Sequence, residues 1–150
     1  MRPIRTILPA LVTCALLAGC GGGSDENDRF SEAYRPINDQ LLILRTSIAQ
    51  APPGSDAMLA GEFSGFATQM DEARRRLDRL KPPDDLRGKI NELSTAAAKL
   101  TADLRDIAEA ATRHDSPATR AATQRMVRDL KAAEDARREL ARETGAKVAP

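Results

Sequence analysis

Apolar side chains recur along this chain in alternating steps of four and three, and the recurrence is interrupted three times. The first run places Phe30, Tyr34, Ile37, Leu41, Leu44, Ile48 and Ala51 on one stripe, the spacing of a helix that buries a single face. It ends at Ala51, Pro52, Pro53, Gly54, Ser55, where the prolines and the glycine cannot continue a helix and Ser55 can cap the next. The second run, Leu59, Phe63, Phe66, Met70, Ala73, Leu77 and Leu80, stops at Lys81, Pro82, Pro83. The third opens at Pro83 or Asp84 and carries Leu86, Ile90, Leu93, Ala97, Leu100, Leu104, Ile107 and Ala111, ending near Arg113, His114 and Asp115. Ser116 as cap and Pro117 in the first turn then open a fourth run with Ala122, Met126, Leu130, Ala133 and Leu140. Two successive steps of four around Met126 make that seam slip, which relaxes supercoiling locally.

No segment alternates with a period of two, so the pattern predicts an all-α chain. Helices of about 23 to 30 residues are about 35 to 45 Å long at 1.5 Å per residue, and short connectors force neighbours to run antiparallel. The expected fold is an up-down-up-down antiparallel four-helix bundle with coiled-coil-like packing over residues 30–146, followed by a tail at 147–150. A helical hairpin pair completed by a second molecule is the alternative, so the chain is expected as a monomer or a homodimer. Antiparallel order groups Phe30 and Tyr34 with Leu77, Leu80, Leu86, Ile90 and Leu140 at one end. Phe63 and Phe66 fall at the other with Ile48, Leu104, Ile107 and Met126. Pro36 lies on the outward side of the first stripe, where it either kinks the helix or marks the end of an irregular lead-in.

Ahead of the first stripe, Met1, Arg2, Pro3, Ile4 and Arg5 form a positive start, and Ile7 through Ala18 an apolar run of about a dozen residues. A bilayer span needs about twenty. Pro9 and the small residues at its end count against a buried helix or an uncleaved anchor. The run closes on Leu17, Ala18, Gly19, Cys20. This stretch resembles the processing site of bacterial lipoproteins, and the resemblance implies that residues 1–19 are a signal peptide. It also implies that Cys20 is lipid-modified at its sulfur and becomes the new N-terminus. The domain would then be exported and anchored at the extracytoplasmic side of the membrane. Cys14 follows Thr13, a poor fit before a modified cysteine, and leaves with the leader.

Residues 20–29 contain the string Gly21, Gly22, Gly23, Ser24, Asp25, Glu26, Asn27, Asp28, with no large apolar side chain, and are expected as a flexible tether. Two or more acyl chains on Cys20, as the resemblance implies, give stable anchoring where one is marginal. Gly21 is not an aspartate, so nothing here argues for retention at an inner membrane.

Composition sharpens the exclusions. The 23 Lys and Arg residues nearly balance the 22 Asp and Glu, and losing Arg2 and Arg5 with the leader leaves one more acid than base. That balance gives no electrostatic case for nucleic acid as a partner. With Cys14 gone and Cys20 modified, no thiol remains to pair.

The chain holds one histidine, His114, so no Ser/His/Asp or Cys/His constellation can be assembled within it. His114 reads as a solvated loop residue or as a group at the end of the third helix. There is no Glu-x-x-His pair of the di-iron bundle type and no haem-attachment string. No catalytic residue, metal or cofactor is expected. Arg74, Arg75, Arg76 and Arg79, with Lys81, form the densest basic cluster and are candidates for gripping an acidic partner. Asp71, Glu72 and Asp78 interleave them, which suits a solvated face with long stems covering the core. Gly61 and Gly65 either admit a ligand or neighbouring helix or make room for Phe63 and Phe66.

The step Leu77, Leu80, Lys81, Pro82, Pro83 followed by a helix near Leu86 is similar to one in small helical lipoproteins of high-GC Gram-positive (actinobacterial) genomes. That resemblance implies fold and envelope location and carries no catalytic content. Two functions are compatible with these readings. One is a membrane-anchored interaction module whose outer faces bind an envelope protein or glycan. The other is a lipid- or small-molecule-binding bundle whose alanine-thinned core leaves an apolar cavity around Phe63, Phe66, Met70 and Met126.

Overall fold

The computed structural model describes residues 22–52 and 54–148. Helix α1 spans Gly22–Ala49, α2 Asp56–Asp78, α3 Arg87–Thr112 and α4 Ser116–Thr144. Among the described residues there is no strand. Each helix packs beside its neighbours in sequence and α1 closes the ring against α4, while the α1/α3 and α2/α4 pairs lie across the diagonals. This is the four-helix bundle that the seams predict.

The seams are the core. In α1, Phe30, Tyr34, Ile37, Leu41, Leu44 and Ile48 are all buried. They face Phe63, Met70 and Leu77 of α2, Leu93, Leu100 and Leu104 of α3, and Met126 and Leu140 of α4 in one cluster. Alanines at Ala67, Ala73, Ala97, Ala111, Ala122 and Ala141 are also buried, and they let α3 lie close to both α2 and α4. Helix α1 stands further out because its stripe carries only large side chains. Cross-helix pairs fix the antiparallel order: Lys89 with Glu143 at 2.7 Å, Arg105 with Asp71 at 3.8 Å, and Asn38 with Arg137 at 2.7 Å.

Helix ends follow local chemistry. Ser55 caps α2 by accepting from the Met58 amide. Helix α3 begins at Arg87, later than the proline step suggests, because Leu86 N–H donates to the Pro83 carbonyl at 3.1 Å and closes a single turn first. At α4 the cap is Asp115, not Ser116, and its carboxylate accepts from the Ala118 amide at 3.0 Å. His114 adopts a φ of 56° as α3 ends. Its amide donates to the Ala111 carbonyl, and that of Asp115 to Ala110, so a histidine takes the left-handed position that glycine usually fills. Gly145 fills the same position after α4 with φ 62°.

The structure bears on two expectations about α1. Residues 22–28, read as part of a tether, are helical. Once the apolar stripe nucleates the helix, extension costs little per residue, and Asp25 in the first turn complements the helix dipole. The helix also runs through Pro36 without interruption. Pro36 is exposed, so the Glu32 carbonyl, deprived of its amide partner, faces solvent that can hydrate it.

Candidate functional site

The lipid-attachment candidates Leu17, Ala18, Gly19 and Cys20 lie outside the described residues. The arginine cluster lies on α2 and is held by its own helix. Arg74 donates to Asp78 at 2.7 Å and to Asp71 at 3.2 Å, Arg75 reaches Asp71 at 2.8 Å, and Arg76 reaches Glu72 at 2.9 Å. Arg79 Nε donates to the Arg75 carbonyl. The hydrogen bond from Arg74, with the charges of Arg75 and Arg105, holds the Asp71 carboxyl below its ordinary range against the opposing effect of burial. The cluster is therefore an interleaved ionic face, with each acid engaged by the arginines around it.

The four cavity candidates do not enclose a ligand-sized space. Phe63 and Phe66 meet edge to face at 5.8 Å, Phe63, Met70 and Met126 are buried, and Phe66 is half-buried. An apolar cavity does exist at mid-bundle, but of these four residues only Met70 is on its wall, beside Leu41, Leu93, Leu100 and Leu130. Its volume is about 20 Å³, room for one water. At Gly61 and Gly65 an added Cβ would meet nothing within 4 Å, so neither makes room for an aromatic neighbour.

His114 is exposed, and its Nδ1 lies 2.7 Å from Asp56 Oδ2 at the start of α2. This pair ties the α3/α4 connector to the opening turn of α2. No group of three or more His, Cys, Asp or Glu side chains among the described residues is arranged to hold a metal.

A polar cluster sealed between α1 and α4 has no counterpart among the residues singled out from sequence. Arg137, 2% exposed, forks onto Glu134 through Nε and Nη2, both at 2.9 Å, and donates through Nη1 to Asn38 Oδ1 at 2.7 Å. Asn38 Nδ2 in turn donates to the Lys147 carbonyl at 3.0 Å. Arg138 also binds Glu134 at 2.7 Å, and Arg45 approaches it to 4.0 Å. Burial pushes the Glu134 carboxyl up, but the hydrogen bonds and charges of Arg137, Arg138 and Arg45 outweigh it and leave it below its ordinary range. One turn before Asn38 along α1, the buried Tyr34 hydroxyl has no partner. Burial keeps this phenol protonated far above its usual range, against the pull of Arg137.

Comparison with family models, curated proteins and solved structures finds no match to this chain. Arg137 and Asn38 are both within 2% of full burial, and where Glu134 and Arg137 border the mid-bundle cavity its volume is about 20 Å³, so the cluster offers no room for a substrate. Its donors and acceptors are spent on one another.

One sign of it is legible in the fourth seam. Between Ala133 and Leu140 the fourth seam skips a step, and position 137, four after one and three before the other, is where the missing core residue belongs. Asn38 likewise stands four residues after Tyr34, on the edge of the first stripe.

Proposed function

We propose that the chain is a non-catalytic interaction module, held at a bacterial membrane by a lipid on Cys20 and presenting a helical bundle to a protein or glycan of the cell envelope. The observation that carries this reading is the run Leu17, Ala18, Gly19, Cys20 placed directly ahead of the helix that opens at Gly22. A lipid at Cys20 connects almost immediately to α1, whose 28 residues extend about 42 Å at 1.5 Å per residue. The C-terminal end of α1, the N-terminal end of α2 and the connector at 113–115 then sit farthest from the bilayer, where a partner has access. The exposed large apolar side chains among the described residues, Ile43, Met58, Val127 and Val148, are scattered over three helices and the C-terminal tail, so recognition rests on mixed polar faces. The ligand-binding alternative draws no support from a core cavity of about 20 Å³.

Growth with an alkyne-tagged fatty acid tests the anchor. The protein takes the label and partitions into detergent, and Cys20→Ala loses both; a labelled Cys20→Ala protein, or an unlabelled wild type, sinks the reading. Photo-cross-linkers at positions in 113–115 then test the module in its native envelope. One reproducible partner at that end is expected, and only self-cross-links would contradict it.

A further inference from the structure

On the face shared by α2 and α3, away from the sealed cluster, the arginines border a groove of about 500 Å³. Thr68, Asp71, Glu72, Arg75 and Arg79 form its α2 wall, and Arg105 of α3 stands on the other. No apolar side chain lines it.

The acids of this face are already engaged. Arg74 binds Asp71 and Asp78, Arg76 binds Glu72 at 2.9 Å, and the Ser94 hydroxyl of α3 donates to Asp78. Arg74, Arg75, Arg76, Arg79 and Arg105 together outnumber Asp71, Glu72 and Asp78 by two charges. Farther round α3, the buried Asp103 and its neighbour Asp106 turn to Arg125 of α4 and do not offset that surplus.

Two guanidiniums have donors left to offer. Arg105, 60% exposed, comes no nearer to Asp71 than 3.8 Å, too far for a hydrogen bond. Arg79 donates through Nε to the Arg75 carbonyl, which leaves both Nη groups for an incoming acceptor.

We propose that this groove binds the phosphate monoester of a sugar, with Arg79 and Arg105 gripping its oxygens from opposite walls and Arg75 adding positive charge.

Charge and shape select this ligand. A phosphate monoester carries a charge of about −1.5 to −2 at pH 7 and three terminal oxygens, which match a surplus of two and donors arriving from two helices. A carboxylate brings a single charge, and one arginine fork occupies both its oxygens. A protein partner would need a pocket for an apolar or aromatic anchor, and these walls have none. That the sugar belongs to an envelope glycan rests on the interaction-module reading; the grip on the phosphate does not.

The test titrates the full-length protein in neutral-detergent micelles at low salt with glucose 6-phosphate, glucuronate and a phosphoserine peptide, followed by NMR. Glucose 6-phosphate should bind saturably, and more tightly as pH rises through about 6, where its second proton leaves. Glucuronate, ionised throughout that range, should bind more weakly with a flat profile. The variant carrying both Arg79→Gln and Arg105→Gln should weaken glucose 6-phosphate binding roughly tenfold or more, since charged hydrogen bonds are lost. Arg105→Gln alone should weaken it too, and breaks no hydrogen bond of the fold. Arg113→Gln, paired with Glu109 outside the groove, should bind as wild type does. An affinity independent of pH, glucuronate binding as tightly, or an equal loss in Arg113→Gln would overturn the proposal. So would tighter binding of the phosphoserine peptide, which would assign the groove to a protein. Fatty-acid labelling of the same samples separates the two readings: a labelled protein that ignores glucose 6-phosphate refutes the groove alone, and an unlabelled protein that binds it refutes the anchor alone.

Discussion

Replacing Glu134 by alanine is the most discriminating perturbation of the core. It leaves the Arg137 guanidinium, 2% exposed, with Asn38 Oδ1 and the Lys147 carbonyl as its remaining acceptors. Removing one partner of a buried ion pair costs about 3–5 kcal/mol, because the surviving charge stays desolvated. Arg138 and Arg45 also lose Glu134, but both are about a third exposed and can turn to water. The internal control is Lys131 with Asp135, a pair closer at 2.6 Å but 77% and 57% exposed. Asp135→Ala is expected to cost far less, as for other exposed pairs at helical spacing. Burial, not bond length, decides the ranking.

Urea denaturation followed by circular dichroism, extrapolated linearly to water, measures both. If Glu134→Ala costs no more than Asp135→Ala, the argument that Arg137 depends on Glu134 for its burial fails. The pH dependence has a definite sign as well. Glu134 is held below its ordinary range, so its contribution is present above the unfolded value near 4.3 and disappears as pH falls through the folded one. Glu134→Ala should therefore have a shallower acid limb than wild type.

Other positions give smaller effects. Gly61→Ala and Gly65→Ala, open at Cβ and inside α2, should each raise stability by about 0.5–1 kcal/mol, seen as a higher thermal midpoint. Pro36→Ala restores an amide donor for the Glu32 carbonyl within α1 and should stabilise by about 1–3 kcal/mol, with loss of stability counting against a continuous helix there. Asp115→Ala removes the acceptor for the Ala118 amide and should cost about 1 kcal/mol, whereas Ser116→Ala should be nearly silent.

The bundle was legible because steps of four and three in three of the four seams pick out the residues that are buried. Phe30 through Ile48 in α1 and Ile90 through Ala111 in α3 needed no tertiary knowledge. Helix starts were less legible because chemically acceptable residues stood close together: Asp115 beside Ser116 before α4, and Pro83 beside Asp84, a turn ahead of the observed Leu86 cap, before α3. In each case backbone geometry selected the start. The helicity of residues 22–28 was not legible because glycine and acidic composition was weighed without the helix that follows. The sealed cluster was missed because arginine, glutamate and asparagine count as surface residues in any pattern of apolar positions. Only the skipped step at 137 marked it. Asp103 left no mark at all, since its burial depends on how closely α4 approaches.

The place of the sealed cluster follows from the packing. Alanine seams bring α3 against α2 and α4, where close backbones interlock and resist sliding. Helix α1 meets the bundle through large side chains repeating every seven residues, and such a repeat satisfies itself again after a shift of one heptad. Arg137 satisfies itself in only one register, because Asn38 and Glu134 must both be within reach. A heptad slip strands the guanidinium at a cost of several kcal/mol. The charge is thus better explained as fixing the position of α1 than as adding stability. The variant carrying both Glu134→Leu and Arg137→Met separates these roles. It should denature at a similar or higher urea concentration than wild type, yet show broadened or doubled NMR signals along α1. Sharp single signals there would mean that the apolar stripe alone sets the register.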